Sequence, residues 1–190
     1  MIYIRAFIGI DFDSELKNNI FELQQMLRIY AIRGRWKHID NFHLTLKFLD
    51  EVGLRQQERI GEAMKKICIS RRPFSLAVSG IGIFEGRDSI RVLWLGLRGD
   101  ILELKSLHES VESALIPIGF PYEKRTFHPH ITLGQDIVFK CEFDEIQRIM
   151  GNVRFNSFKV NSLFLFKSDQ VQNKRIYTKV SDYDFGIEKI

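Results

Sequence analysis

The sequence predicts an α+β protein with two similar lobes of antiparallel sheet, and two observations lead to that prediction. Strand-like and helix-like stretches follow one another in nearly the same order in each half of the 190 residues. In addition, the segment Phe42-His43-Leu44-Thr45-Leu46 returns almost unchanged as Pro129-His130-Ile131-Thr132-Leu133. One such segment in each half predicts two related lobes whose histidine strands come together.

Length and composition are those of an ordinary globular protein. A chain of 190 residues, 45% hydrophobic and 27% charged, suits one domain or two small lobes. It is long enough to bury about 70% of its unfolded surface. We therefore treat residues 1–190 as a single domain. The apolar residues 1–4 are interrupted by Arg5, so neither a signal peptide nor a membrane-spanning helix is predicted.

Cysteine usage and charge indicate the environment and the possible partners. Cys68 and Cys141 are isolated in sequence and form no spaced metal pair, which favours a reducing cytoplasm over a disulfide-stabilised secreted protein. A net charge of +4 and a pI near 9.1 permit a polyanionic partner without requiring one. We expect a cytoplasmic monomer that does not bind membranes.

The first half of the chain predicts a strand, a helix, the first histidine strand and a second helix. Residues 2–10 alternate and are rich in β-branched and aromatic side chains, as strands are. Asp13 is a candidate helix N-cap, and the amphipathic helix after it is expected to end at Arg33-Gly34. A polar turn at Asp40-Asn41 precedes the histidine strand, and residues 54–69 follow it as an amphipathic helix.

The second half repeats this order. Gly80, Gly82 and Gly86 indicate a loop between two strands, but they match no phosphate-binding glycine motif. The predicted elements are strands at 74–81 and 90–97, a helix from about 100 to 119, the second histidine strand, a helix at 142–150, and strands at 153–167 and 175–183.

The two His-x-Thr segments are the candidate site. In a strand, each histidine shares a face with its threonine, and the branched apolar residues between them line the opposite, core face. Two imidazoles with an ordinary pKa near 6.5 can supply a base and an acid at neutral pH. Two hydroxyls can donate to phosphate oxygens as charge develops. The pattern predicts acid–base chemistry on a phosphodiester that needs no metal or cofactor.

Other sites have less support in the residues. His128-Pro129-His130 is a His-x-His pair that could hold zinc with a third ligand, but no carboxylate or cysteine spacing joins it. No Gly-x-Ser-x-Gly elbow for a serine hydrolase is present. His108 is expected to pack in a helix and to bond a backbone carbonyl. Lys47 shares the histidine face if alternation continues, but about 13 Å from His43 it is expected to be solvated.

Three runs resemble a known family: Phe-His-Leu-Thr-Leu-Lys-Phe-Leu at 42–49, Arg-Val-Leu-Trp-Leu-Gly at 91–96, and Arg-x-Phe-x-Pro-His-Ile-Thr-Leu-Gly at 125–134. They are similar to the RNA 2′,3′-cyclic phosphodiesterases of the two-histidine (HxTx) phosphoesterases, formerly called 2′-5′ RNA ligases. The resemblance implies a bilobal fold with helices on the outer faces and a central cleft. It also implies metal-independent hydrolysis of a terminal 2′,3′-cyclic phosphate to a 2′-phosphomonoester.

The resemblance assigns roles to four residues. It implies that His43 is the proton donor, that His130 is the proton acceptor, and that Thr45 and Thr132 bind phosphate oxygens. The near-symmetry of the two segments leaves open which histidine is the acid.

Two further residues are candidates for binding substrate. Arg125 matches the family's arginine ahead of the second histidine and is an anion-binding candidate, with a surface salt bridge as the alternative. Arg35-Trp36-Lys37 is a cation-aromatic-cation triplet that could stack on a base through Trp36 and neutralise a phosphate, with two surface cations around a packed Trp36 as the alternative. Gln135 stands where the family often has arginine, and His128 where a basic or apolar residue is common, so family contacts at those two positions are not carried over.

Three functions remain open from the sequence. The first is hydrolysis of RNA, or of oligonucleotides such as tRNA fragments, that end in a 2′,3′-cyclic phosphate. The second is the reverse chemistry, which joins a 5′-hydroxyl to that end in a 2′-5′ linkage. The third is a module that binds RNA ends without catalysis. Product analysis with both RNA ends supplied separates the first two, and turnover excludes the third.

Overall fold

The computed structural model describes residues 3–172 and 174–186, and residue 2 of the first predicted strand lies outside them. The described chain is α+β. The nine strands are β1 (Tyr3–Asp11), β2 (Ala31–Trp36), β3 (His43–Gly53), β4 (Phe74–Glu85), β5 (Ile90–Gly99), β6 (Ile131–Phe139), β7 (Arg154–Val160), β8 (Ser162–Val171) and β9 (Lys174–Asp184). The four α-helices are α1 (Ser14–Ile29), α2 (Leu54–Ile69), α3 (Ile101–Leu115) and α4 (Phe143–Met150).

All nine strands join one antiparallel sheet in the order β7-β4-β5-β6-β3-β1-β8-β9, with β2 paired to β6. β3 and β6, which carry or directly follow the two histidines, are the central neighbours. Only Leu44 and Ile131 pair between them. Outward from each central strand the order continues through three more strands, so the sheet consists of two similar halves that meet at this single pair.

The first helix begins as predicted but ends earlier. The Asp13 side chain caps α1 by accepting a hydrogen bond from the Leu16 backbone N–H at 2.8 Å. The expected end at Arg33-Gly34 is wrong, because these residues belong to β2, which pairs with β6. A Cβ on Gly34 would lie 2.2 Å from the Cδ1 atom of Ile137, so a larger residue here would require the Ile137 side chain to shift. A basic residue followed by glycine thus marks close strand packing here.

Two other boundaries differ from the prediction. Gly80 and Gly82 lie inside β4, not in a loop, and Trp94 of the paired strand occupies the space that a Cβ on Gly82 would need. The run 153–167 is two strands, because the chain turns at Asn161 between β7 at one edge of the sheet and β8 beside β1. The alternating pattern continues through the turn, so it did not reveal the break.

The helices cover the face of the sheet opposite the two histidines. Leu44 and Ile131 are completely buried in one hydrophobic cluster, which also contains Leu23 of α1, Met64 of α2 and Leu107 of α3. This core extends through both halves of the sheet. Within the described residues, no helix has the length and apolar character that crossing a membrane requires.

Candidate active site

The pairing of the two central strands brings the two predicted half-sites together. In an antiparallel pair, residues on either side of a matched pair lie opposite one another. Since Leu44 is paired with Ile131, the same register sets His43 opposite Thr132 and Thr45 opposite His130. All four side chains then lie on the face opposite the core. Extended by one residue on each side, the register of the Leu44–Ile131 pair matches the backbone of each histidine with that of the threonine of the other half, in an approximately two-fold arrangement.

The same backbone contact orients both histidines. His43 Nδ1 lies 2.7 Å from the carbonyl oxygen of Asn41, and His130 Nδ1 lies 2.7 Å from the carbonyl oxygen of His128. A carbonyl only accepts hydrogen bonds, so each Nδ1 carries a proton and donates it. The neutral rings therefore present an unprotonated Nε2. In the first half-site, His43 Nε2 lies 2.9 Å from Thr45 Oγ1 and accepts the hydroxyl proton.

The structure corrects one detail of the second half-site. His130 was expected within a strand, but β6 begins one residue later at Ile131. Its ring is still fixed by the carbonyl of the residue two positions earlier, His128, as the ring of His43 is by Asn41. The repeated segment gave no sign of this difference because the two sequences are nearly the same.

Aromatic side chains lie beside each histidine, and His43 has the shorter ring-to-ring distances. The ring of His43 lies 4.7 Å from Phe7, 5.0 Å from Tyr177 and 5.9 Å from Phe166, measured between centroids. Phe7 and Phe166 are buried, while Tyr177 is half-buried. These contacts pack around the His43 imidazole, restrict its orientation and reduce its exposure to water, although the residue stays half-buried.

The second half-site has its own aromatic wall. The ring of His130 lies 5.1 Å from Phe84, 6.3 Å from Trp94 and 6.2 Å from His128. Trp94 pairs across the sheet with Thr132. Trp94 belongs to the run 91–96, which is part of the family resemblance. This run therefore contributes the β5 residue that pairs with the second threonine.

Burial lowers the pKa of both histidines. The pKa of His43 falls to about 4, chiefly because burial disfavours the charged ring; the bond to the Asn41 carbonyl opposes this, and the nearby positive charge of Lys37 adds to it. Burial likewise lowers the pKa of His130, again opposed by its backbone hydrogen bond. Both rings are therefore neutral at pH 7 in the free protein. A bound phosphate anion would favour the protonated form of either ring.

Charged residues gather on the His43 side. Asp11 is the β1 partner of His43 and binds Lys17 Nζ at 2.7 Å and Lys179 Nζ at 2.6 Å. Burial alone would raise the pKa of Asp11, but the two lysines outweigh it and hold that pKa below its usual value. The half-buried Lys37 lies close by, with its Nζ 3.3 Å from the Tyr177 hydroxyl. Of these four charged residues, only Lys37 was named from the sequence, as part of the Arg35-Trp36-Lys37 triplet that could neutralise a phosphate.

Lys47 is not on this face, which corrects the sequence prediction. Successive irregularities in the β1–β3 pairing match Thr45 with Gly9 but Lys47 with Ile8, so Leu46 is an extra residue and the alternation reverses. Lys47 is only 7% exposed and was expected to be solvated. Its Nζ binds a carboxylate oxygen of Glu112 in α3 at 2.7 Å.

The two auxiliary candidates occupy different environments. The Arg125 side chain is 87% exposed, and its Nε lies 3.9 Å from a carboxylate oxygen of Glu123. Trp36 is half-buried at the end of β2, packs against Gly134 and has the Arg28 guanidinium 5.4 Å from its ring centroid. Contact between either residue and a substrate stays a prediction.

The zinc alternative lacks a third ligand in the described part of the chain. No group of three or more histidine, cysteine or acidic side chains is arranged there to hold a metal ion. Nδ1 of His130 is already committed to the His128 carbonyl. His108, the other histidine considered, is buried and stacks on Phe127 at 3.9 Å, as expected of a packing residue, although its polar neighbour is the carboxylate of Glu112 and not a backbone carbonyl.

Comparison with known proteins is consistent with this geometry. The family described as LigT like Phosphoesterase matches residues 10–94 and 97–177, and each stretch contains one His-x-Thr segment. The chain is 28% identical to an RNA 2′,3′-cyclic phosphodiesterase of Methanothermobacter thermautotrophicus over 92% of this chain and 95% of that protein. It is 35% identical to one of Aeropyrum pernix over 73% and 78%, respectively.

A solved structure is also similar. E. coli LigT complexed with 3′-AMP superimposes with a TM-score of 0.80 at 26% sequence identity, covering 97% of this chain and 99% of that one. The large antiparallel sheet and the four helices are therefore features that this chain shares with a nucleotide-binding relative.

Proposed function

Because the chain belongs to the LigT-like phosphoesterase family, we propose that it hydrolyses the 2′,3′-cyclic phosphodiester at RNA 3′ ends to a 2′-phosphomonoester. The observation that carries this proposal is the Leu44–Ile131 pair, whose register sets each histidine opposite the threonine of the other half. Relatives named RNA 2′,3′-cyclic phosphodiesterase, and a 3′-AMP complex of E. coli LigT, support the substrate class.

The proposed chemistry needs one base, one acid and donors for the phosphate. His130 Nε2 takes a proton from a water molecule whose oxygen bonds to phosphorus. His43 Nε2 gives a proton to the 3′-oxygen as the P–O3′ bond breaks, which leaves a 2′-phosphate and a free 3′-hydroxyl. One proton enters His130 and one leaves His43, so exchange with solvent restores the starting state. No metal is needed for either transfer.

The threonines act on the phosphate oxygens that do not leave. In the free protein the Thr45 hydroxyl donates to neutral His43. When His43 is protonated its Nε2 becomes a donor, so the Thr45 proton is free to turn toward a phosphate oxygen. Thr132, opposite His43 in the register, donates from the other half. Two such donors stabilise the charge that builds up as phosphorus becomes five-coordinate.

The finer architecture belongs to the same proposal. We infer that residues 1–190 act as one two-lobed domain and that the RNA end lies in a central cleft between the two halves of the sheet, with Arg125 and Trp36 as auxiliary contacts. Both histidines lie where the halves meet, which supports this arrangement. A monomer suffices, because the two halves of one chain supply the complete set of catalytic groups.

An assay on RNA ending in a 2′,3′-cyclic phosphate, in the presence of EDTA, tests the function. We expect a 2′-phosphate product, and we expect His43→Ala and His130→Ala each to lose about 10²- to 10⁴-fold in kcat. His38→Ala is the matched control, since His38 is exposed and outside the site. A 3′-phosphate product, activity lost on chelation, or binding without turnover would contradict the proposal.

A further inference from the structure

Lys37 differs from the other lysines near His43 in having no acidic partner. Lys17 and Lys179 both bind Asp11, at 2.7 and 2.6 Å, so their charges are largely compensated. Lys37 Nζ instead donates to the neutral hydroxyl of Tyr177 at 3.3 Å and lies 5.5 Å from the centroid of that ring. Within residues 3–172 and 174–186, Lys37 takes part in no ion pair. A half-buried cation without an acidic partner in this position is suited to bind an anionic ligand.

The backbone of Lys37 is fixed to the second half-site. Its N–H donates to the carbonyl of Leu133 at 2.9 Å, and its own carbonyl accepts from the buried Gln24 side chain at 2.9 Å. The same Gln24 amide also donates to the Leu133 carbonyl at 2.9 Å. Leu133 follows Thr132 directly, so the position of Lys37 is tied to the strand that carries the second threonine.

The side chain of Lys37 reaches the first half-site through Tyr177. That ring stands perpendicular to the His43 ring, with the centroids 5.0 Å apart. Asn41 holds this part of β9, because its Oδ1 accepts from Tyr177 N at 3.3 Å and its Nδ2 donates to the Arg175 carbonyl at 2.7 Å. Lys37 therefore spans the junction of the two half-sites, where a substrate phosphate must lie if the proposed function holds.

Among the residues that the structure describes, the second half-site has no comparable half-buried cation without an acidic partner. Arg125 is almost fully exposed and lies beside Glu123. Position 135 holds an uncharged glutamine, and His128 is a surface histidine packed edge-on against Trp94 and Phe84. A phosphate that becomes more negative during the reaction is stabilised by a fixed positive charge nearby. The described residues of the second half-site do not supply that charge.

We propose that Lys37, held by the Tyr177 hydroxyl, is a phosphate-binding residue of this site and takes a phosphodiester anion of the RNA 3′ end. The proposal rests on the proposed function. Two phosphates share this chemistry: the reacting cyclic phosphate and the internucleotide phosphate that precedes the terminal nucleotide.

Two substrates and one substitution separate the two phosphates. Adenosine 2′,3′-cyclic phosphate contains only the reacting group, whereas a dinucleotide ending in a 2′,3′-cyclic phosphate contains both. If Lys37 binds the reacting phosphate, Lys37→Met lowers kcat/KM about 10- to 100-fold on both substrates. If it binds the internucleotide phosphate, only the dinucleotide shows that loss, mainly as a higher KM.

Three further variants distinguish a charge effect from a packing effect. Lys37→Arg should restore most of the activity, since it keeps the positive charge. Tyr177→Phe keeps the ring beside His43 but removes the hydroxyl that holds Nζ, so it should cause a smaller loss than Lys37→Met. Lys66→Met is the control, because it removes an exposed lysine from α2 on the opposite face of the sheet.

A binding measurement keeps the subsite distinct from turnover. If Lys37 binds the reacting phosphate, adenosine 2′-monophosphate should bind about tenfold or more weakly to Lys37→Met than to wild type; if it binds the internucleotide phosphate, only a dinucleotide ending in a 2′-phosphate should show that loss. An NMR titration should show a higher pKa for His43 in the variant, because the Lys37 charge lowers it; Asp11, Lys17 and Tyr177 face the same ring and are unchanged. Weaker binding without any wild-type turnover would support the subsite and refute the enzyme. Unchanged kcat/KM on both substrates together with unchanged binding would overturn the subsite.

Discussion

Each histidine of the candidate site is set by one backbone carbonyl two residues earlier in the chain. Asn41 and His128 supply these carbonyls, and both leave Nε2 as the unprotonated nitrogen of the neutral ring. The sequence repeat predicted the two histidines and two threonines because they recur as a unit. It did not predict Tyr177, which reaches His43 from a strand more than a hundred residues away in sequence and follows no repeat.

The lowered histidine pKa values predict the pH dependence of catalysis. The proposed reaction needs one protonated and one neutral histidine, and kcat/KM reports the protonation states of the free enzyme. Burial lowers the pKa of His43 to about 4 and lowers that of His130 below its usual 6.5. We therefore expect kcat/KM to be highest below pH 6.5 and to fall by nearly tenfold per pH unit between pH 7 and 8. A plateau from pH 7 to 9 would contradict this.

At the scale of elements, the irregular pairing of β3 creates a buried charged cluster on the helix side of the sheet. Lys47 Nζ binds Glu112 at 2.7 Å and the Pro121 carbonyl at 2.6 Å. The same Glu112 oxygen accepts the Glu123 backbone N–H at 3.0 Å. One ion pair thus connects β3, α3 and the segment that leads to His130. Simple alternation placed Lys47 on the wrong face because an extra residue in a strand has no reliable signature in composition.

Removing one member of this pair should cost far more than removing both. Lys47→Met leaves the Glu112 carboxylate buried and uncompensated, so the free energy of unfolding should fall by about 3–5 kcal/mol. The double variant with Lys47→Met and Glu112→Leu should lose less than this, because no unpaired charge remains buried. Urea unfolding with a double-mutant cycle measures the difference.

A solvated ion pair between β1 and β3 provides the control for that cycle. Arg5 and Asp50 are 57% and 76% exposed, so Arg5→Met should change the free energy of unfolding by no more than about 1 kcal/mol. If the Lys47 and Glu112 substitutions instead added up independently, the pair would not act as a unit, and the account of this cluster would be wrong.

The individual elements show why the sequence predicted the fold class and several elements better than the pairing between distant strands. Helix α2 was predicted at its observed bounds because its apolar stripe and charged faces are local signals. β2 was missed, since its residues do not alternate clearly and become a strand only by pairing with β6, about a hundred residues later. The single Leu44–Ile131 contact is also a long-range event. Periodicity along the chain contains no information about it.

At the scale of the whole molecule, the two halves are joined by more than the single pair between their central strands. A continuous hydrophobic core runs behind both of them. Gln24 of α1 is completely buried and donates to the carbonyls of Lys37 and Leu133, which lie in neighbouring segments at the junction. Folding of the two halves together therefore buries the histidines of the candidate site, and their titration should be linked to global stability.

That link predicts a loss of stability at mildly acidic pH. Burial lowers the pKa of His43 to about 4, and also lowers that of His108 and His130, whereas the unfolded chain titrates near the usual 6.5. Between these values the unfolded state holds more protons, so the free energy of unfolding rises with pH from about 4 to 6.5 and levels off above that range. The His43 shift alone corresponds to about 3 kcal/mol.

Urea unfolding of wild type and His43→Gln from pH 4.5 to 7.5 measures this loss of stability. The variant should show a shallower pH dependence because it lacks the largest of the three shifts. Parallel curves for the two proteins would show that His43 is not held neutral by folding, and would remove the basis for the expected acidic optimum of kcat/KM as well.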